Sequence, residues 1–168
     1  MPISLSIRKA FALAMLGAAL FAAGCANQQK ALEGGAMAGA ATPGSAQDFQ
    51  VNVGDRVFFE TDSTALTPQA MATLDRQVQW LGQYGNYAFT IEGHADERGT
   101  REYNLALGAR RASAVQAYMI SRGIPANRMR TVSYGKERPV AVCDDISCWS
   151  QNRRAQTILN NGAVARNY

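Results

Sequence analysis

The densest run of chemically capable side chains is Glu92-Gly93-His94-Ala95-Asp96-Glu97-Arg98-Gly99-Thr100-Arg101-Glu102-Tyr103-Asn104. It joins the end of a strand-like stretch to the start of a helix-like one, and loops of that kind on a rigid scaffold are where ligands are held. Fifteen residues after Asp96 comes Arg111, with Leu107 four positions before it and so on the same helical face. Arginine side chains in helices lean toward the N-terminus, so Arg111 could reach back toward the loop. A carboxylate, a guanidinium fork and helix-start amides around one pocket suit a zwitterionic amino-acid group. Asp96 would take an ammonium and Arg111 would clamp a carboxylate, with helix amides helping. The same residues also have plainer uses. His94 can be a structural hydrogen-bonder, Asp96 and Glu97 can complement a helix dipole, and Arg110, Arg111, Arg153 and Arg154 can be solvated. Spacing alone leaves both readings open.

The elements that must position these residues are legible from periodicity. Val51, Val53, Val57 and Phe59 suggest a first strand with a break near Gly54. Thr67-Pro68 reads as an N-cap followed by the first helical position. Met71, Leu74, Val78 and Leu81 then form one apolar stripe ending at Gly82 or Gly85. Tyr87, Phe89 and Ile91 alternate with Ala88, Thr90 and Glu92, a half-buried strand ending at Gly93. A second helix is expected from about Arg101 to Arg122, with the stripe Leu105, Gly108, Ala112, Val115, Met119 and a stop at Gly123 and Pro125. A strand near Thr131–Tyr134, a short helical turn beginning or ending at Asn152-Arg153-Arg154, and a last strand Gln156–Asn160 complete the order. That β-α-β-α-β-β order implies a two-layer α/β sandwich, with helices on one face of a mixed sheet.

The N-terminal end has a different character. Arg8 and Lys9 precede a run without charge from Ala10 to Ala23, then Gly24 and Cys25, the layout of a secretory signal. The run is shorter than the roughly 20 residues of a membrane span, and it lacks the polar face of a core helix. Leu20-Phe21-Ala22-Ala23-Gly24-Cys25 resembles a lipobox, with Ala22 where leucine is usual. The resemblance implies a leader 1–24, removed, and lipidation of Cys25. Several acyl chains give stable membrane residence. Residue 26 is Ala and not Asp, which by resemblance to Gram-negative lipoprotein sorting implies the outer membrane. Residues 25–47 are rich in Gly, Ala, Ser and Gln and read as a flexible tether. Residues 48–165 are then one folded domain. The net charge of +4 falls to +2 without Arg8 and Lys9, which is not the concentrated basic face of a nucleic-acid binder.

Catalysis is harder to assemble from these residues. A glycosidase needs one carboxylate in an apolar pocket and a second roughly 5–9 Å away. Glu92, Asp96, Glu97 and Glu102 instead lie among arginines in a polar loop, which favours the ionised form. A zinc amidase or peptidase, or a structural metal site, needs more histidine than the single one present. Cys143 and Cys148 are an even pair in an exported chain and read as a disulfide, worth about 2 kcal/mol if unstrained. No cofactor, no metal and no enzyme activity is expected; the alternative is a wall-degrading enzyme with the same address.

The run Ile91–Ala112, IEGHADERGTREYNLALGARRA, resembles the signature of the peptidoglycan-associated lipoproteins, a branch of the OmpA-like domain family. Val132–Val140, VSYGKERPV, and Trp149–Ala155, WSQNRRA, are further blocks of that family in the expected order. The resemblance covers about Val51 to Leu159. It implies the α/β sandwich and, as ligand, the peptidoglycan stem peptide through meso-diaminopimelate, held by Asp62, Asp96, Leu107 and Arg111. Asp96 and Arg111 would meet the amino and carboxylate groups, and Leu107 the aliphatic part. His94, Glu97, Arg98, Asn104, Asn152 and Arg153 are implied as supporting residues. Where many members have Phe-Asp, this chain has Thr61-Asp62, so one wall is either more polar or supplied by Phe58 or Phe59. The cysteine pair, which many members lack, would stiffen the loop before Asn152 and Arg153. The implied partners are peptidoglycan, the outer membrane through the lipid, and TolB with the other Tol-Pal components, TolB on a surface overlapping the wall site. The implied place is the outer membrane, with the domain facing the periplasm and supporting envelope integrity and constriction at division.

Overall fold

The computed structural model describes residues 41–160. The expected leader, Cys25 and most of the expected tether lie outside the described residues, as does the end of the domain after Asn160. Four strands, β1 (Arg56–Phe58), β2 (Ala88–His94), β3 (Met129–Gly135) and β4 (Arg154–Asn160), form one sheet in the order β1-β4-β2-β3. β2 and β3 run parallel, while β4 is antiparallel to both β1 and β2. After β1 the α-helices are α1 (Pro68–Gln83), α2 (Arg101–Ser121) and the short α3 (Ile146–Asn152). The parallel pair β2/β3 needs a crossover, and α2 supplies it.

Both long helices start as the sequence expects. Thr67 Oγ1 accepts from Ala70 N–H at 3.1 Å, with Pro68 following, and Thr100 Oγ1 accepts from Tyr103 N–H at 3.2 Å. Each satisfies an N–H that the helix cannot pair. The helices share the sheet face that presents Phe89, Ile91 and Gly93, and their inward residues form one core with Phe49, Leu74, Leu81, Val115 and Met119. α2 lies very close to the sheet at Gly108. A Cβ on Gly93 would come within 1.9 Å of Gly108 O, and a Cβ on Gly108 within 2.4 Å of Ser133 Oγ.

Three expectations about the elements need correction. The first strand is only Arg56–Phe58, because Phe49–Gly54 forms a π-helical turn after the short helix Ala46–Asp48. The turn leaves Val51 exposed and places Phe49 in the core, where it packs on Trp80 at 4.9 Å. A strand would have alternated Phe49, Val51 and Val53 onto one face; the helical turn keeps Phe49 and half-buried Val53 there, four apart. The buried stripe of α1 is Ala70, Leu74, Gln77 and Leu81 with Trp80, while Met71 and Val78 are half-buried. Gln77 is polar yet fully enclosed, since its amide donates to Gly54 O at 2.6 Å and accepts from Thr157 Oγ1 at 2.9 Å. On α2, Leu105 is exposed, and Asn104, Leu107 and Arg111 are buried instead.

The N-terminal edge of the fold is tied down before residue 48. Tyr87 donates to Gly44 O at 2.8 Å, and the Asp48 carboxylate accepts from Trp80 Nε1 at 2.8 Å.

Candidate functional site

Three elements converge at the carboxyl end of β2. The loop 95–100 leaves that strand, the first turns of α2 return past it, and the β1–α1 loop reaches over from the sheet edge. Between them lies a cavity of about 210 Å³. Asp62, Asp96, Leu107 and Arg111 all line it, so the four residues singled out for the ligand are brought together. Arg98 and Asn104 line it too, with Thr61, Gly99 and Tyr103 added.

Asp96 is the buried acid of this cavity. Its carboxylate accepts from Arg98 Nη2 at 2.6 Å and from buried Arg153 Nη1 at 3.4 Å, and from the Arg98 backbone N–H at 3.3 Å. Burial pushes its pKa up. The hydrogen bonds and positive charge of Arg98, helped by Arg153, outweigh burial and hold the carboxyl below its usual range. It is therefore an anion at neutral pH. Asp62 stands on the opposite lip, in the left-handed backbone region at φ +53°, which Asp adopts more readily than most residues. Tyr103 O–H donates to its carboxylate, and that bond raises the tyrosine pKa.

Arg111 is fully buried. Its Nε donates to Ser63 O at 2.9 Å, Nη1 to His94 O at 2.8 Å and Nη2 to Glu60 O at 3.2 Å. Burial is the main cause that lowers its pKa, to about 10, with the charge of Asp96 opposing. The guanidinium thus stays charged. It holds the two residues that flank the Asp62 turn, Glu60 and Ser63, against the end of β2. Three of its five N–H groups are engaged this way, which leaves two unengaged. The plainer reading of the arginines as solvated holds for Arg110 but not for Arg111, Arg153 or Arg154, all buried.

The supporting residues divide into two groups. Arg153 bridges the site by donating to Phe59 O at 3.0 Å as well as to Asp96. Asn104 donates to Arg98 O at 2.7 Å and fixes the loop onto α2. Glu97 points outward and accepts from Trp149 Nε1, while Arg98 lies over the Trp149 ring at 4.3 Å. Of the six, only Arg98 and Asn104 line the cavity, and His94 and Asn152 form the second group. The His94 side chain is buried beside Tyr134, at 5.6 Å between ring centres, and only its carbonyl reaches the site through Arg111. Asn152 holds the disulfide loop through Val140 N–H at 2.8 Å, Ala141 N–H at 3.2 Å and Ala141 O at 2.8 Å. Of the two alternatives for the wall beside Asp62, the more polar one is found, since Thr61 lines the cavity and neither Phe58 nor Phe59 does. Phe59 lies beneath Arg111, 5.1 Å from ring centre to guanidinium, and Phe58 points into a separate groove.

Sequence reasoning missed Tyr103 as a site residue, although it lies four positions before Leu107 on one helical face. It missed Trp149 as well, because no local spacing links it to Arg98. Cys143 and Cys148 form the expected disulfide. Among the described residues, no cluster of three or more His, Cys, Asp or Glu side chains is arranged to hold a metal ion, and no helix is long and apolar enough to cross a membrane.

Residues 58–157 match the OmpA family model. The chain is 71% identical over 141 residues to a peptidoglycan-associated lipoprotein of Rhizobium meliloti, covering 82% of this chain and 80% of that protein. A protein of the same name from Brucella melitensis is 63% identical over 145 residues, covering 84% and 86%. The crystal structure of the peptidoglycan-associated lipoprotein from Burkholderia pseudomallei superposes with a TM-score of 0.61 at 42% identity, covering 63% of this chain and 90% of that one. The C-terminal domain of Helicobacter pylori MotB superposes with a TM-score of 0.60 at 23% identity, covering 65% and 86%, a likeness of fold.

Proposed function

The chain belongs to the OmpA family, and on that premise we propose that it is an outer-membrane lipoprotein whose folded domain holds peptidoglycan without cutting it. The leader 1–24 is removed, Cys25 carries the lipid, and the segment that follows reaches from the membrane to the domain in the periplasm. The ligand is the stem peptide through the zwitterionic end of meso-diaminopimelate. Asp96 receives the ammonium, the free N–H groups of Arg111 face the carboxylate, Leu107 packs on the methylenes, and Asp62 with Tyr103 closes the opposite lip. Glu97, Arg98, Asn104, Asn152 and Arg153 support that arrangement, and His94 does so through its carbonyl. Such a link ties the outer membrane to the wall as part of the Tol-Pal system, with TolB as the protein partner, and supports the envelope and its constriction at division.

The observation that carries this reading is the pairing of an ionised, buried Asp96 with a buried, charged Arg111 across one small cavity. A carboxylate held below its usual pKa by arginines suits an ammonium and is a poor proton donor. The test is to incubate the full chain with cell-wall sacculi. Co-sedimentation without release of soluble fragments is expected, with Asp96→Ala weakening it at least tenfold, roughly 1.4 kcal/mol for a charge-assisted contact. Release of fragments, or full binding by Asp96→Ala, overturns it.

A further inference from the structure

A second cavity, of about 220 Å³, involves the same loop. Its apolar walls come from Ala95, Pro139, Ala141 and Val142 and from Cys143 of the disulfide. The wall is set in place twice over. The Cys143–Cys148 bond closes the loop, and the buried Asn152 amide clamps the Val140–Ala141 backbone. The cavity is therefore preformed and does not wait for a ligand to order the loop. It is smaller than the roughly 300–1000 Å³ of a whole small-molecule site, so it suits one residue of a longer ligand.

Asp96 lines the first cavity and Glu97 the second, and consecutive Cα atoms are about 3.8 Å apart. The same stretch of backbone therefore borders both cavities, and the second would take the residue next to the one that Asp96 holds. The charges there choose the chemistry. Lys136 Nζ donates to Glu97 O at 3.1 Å and Gly99 O at 2.7 Å, which leaves its third N–H available. Asp144 and Glu97 also line the cavity and oppose a free carboxylate. A small apolar side group carried on a neutral amide fits both facts.

We infer that the disulfide loop builds a second subsite for the wall peptide, which takes the alanyl residue next to diaminopimelate. The methyl group lies against Val142, Pro139 and the disulfide, and the alanyl carbonyl accepts from Lys136. This rests on the wall-binding reading given above. The diaminopimelate residue occupies the Asp96 cavity, and the alanine adds contacts that the tripeptide lacks.

The probes are two synthetic C-terminal amides, L-Ala–γ-D-Glu–meso-diaminopimelate and the same peptide extended by D-alanine, titrated calorimetrically into the full chain in detergent. Both keep the zwitterionic end of diaminopimelate unchanged. The longer peptide is expected to bind at least about fivefold more tightly, the scale of one buried methyl group and one hydrogen bond. Val142→Asp should remove that preference and leave tripeptide affinity unchanged. Val142 is 87% exposed, so its substitution does not threaten the fold. Equal affinity for the two peptides, or a preference that survives Val142→Asp, overturns the subsite and assigns the cavity to another occupant, such as an aliphatic side chain of a protein. Binding of neither peptide is a different result: it removes the wall-binding reading, and the subsite with it.

Discussion

At the scale of single residues, Arg111 serves the fold while it lines the proposed ligand cavity. Its three engaged N–H groups hold the backbone on either side of Asp62, so the opposite lip of the cavity depends on a residue that also faces its interior. Lysine keeps the charge but not the planar fork. Arg111→Lys is expected to lower stability by about 2 kcal/mol, since hydrogen bonds to a charged donor are worth roughly 1.5–3 kcal/mol each and an ammonium can replace only part of the set. Wall binding should fall with it. An unchanged urea midpoint would show that the carbonyl clamp contributes nothing. His94 gives a second test, because it is the only histidine in the chain. Burial, then the charges of Arg154 and Arg138, push its pKa down to about 4. The folded value lies below the unfolded one of about 6.5, so the unfolded chain binds the extra proton. Stability is full above pH 6.5 and declines as pH falls through the window from 6.5 to 4, by at most about 1.4 kcal/mol per pH unit. Asp96, with a lowered pKa, contributes in the same direction, below the usual carboxylate range. His94→Phe should flatten the unfolding free energy between pH 6.5 and 5 measured in urea. An equally steep decline in the variant would assign it to the carboxylates.

The elements explain which parts of the site could be read in advance. The start of α1 was legible because Thr67 and Pro68 act within one turn of their own position. The strand β2 was legible from short-period alternation. The exact faces of the helices were not. Gln77, Asn104 and Arg111 are buried and polar, each with a backbone partner distant in sequence or across a loop, and a hydrophobic stripe scores such positions as solvent-facing. The turn Phe49–Gly54 failed for the opposite reason: V-N-V alternates like a strand, while the decisive contact, Phe49 on Trp80, is long-range. Gly108 is the case in which small size permits contact. The α2–sheet approach there leaves no room for a side chain, since a Cβ would stand 2.7 Å from Gly93 O as well as 2.4 Å from Ser133 Oγ. Gly108→Ala is expected to cost about 3 kcal/mol, at the upper end of ordinary overpacking. It should also weaken wall binding, because Leu107 and Arg111 move with the helix. A thermal midpoint within a degree of the parent would show that the helix can shift freely.

For the whole molecule, anchoring and holding are separable, and the chain length between them sets a distance. The domain is fastened from Gly44 onward through Tyr87 and from Asp48 through Trp80, so the proposed tether is the stretch 26–43 and not the full 25–47. Its 18 residues reach at most about 60 Å when extended. On the proposed reading, the domain within that radius would sample the wall at high effective concentration while the lipid stays in the membrane. Two variants separate the functions. Cys25→Ser should leave a soluble periplasmic protein that still co-sediments with sacculi; unchanged membrane association would remove the lipid anchor from the account. Deletion of residues 27–40 leaves the acylated cysteine and the domain intact but cuts the reach to roughly 15 Å. That variant should bind isolated sacculi as well as the parent does, yet lose its chemical crosslinking to the wall in intact cells. Crosslinking that persists after the deletion would mean the wall lies against the membrane-facing side of the domain and that tether length carries no function. The fold was thus legible from local pattern, the ligand chemistry from a resemblance, and the reach only from where the packing of Gly44 and Asp48 begins.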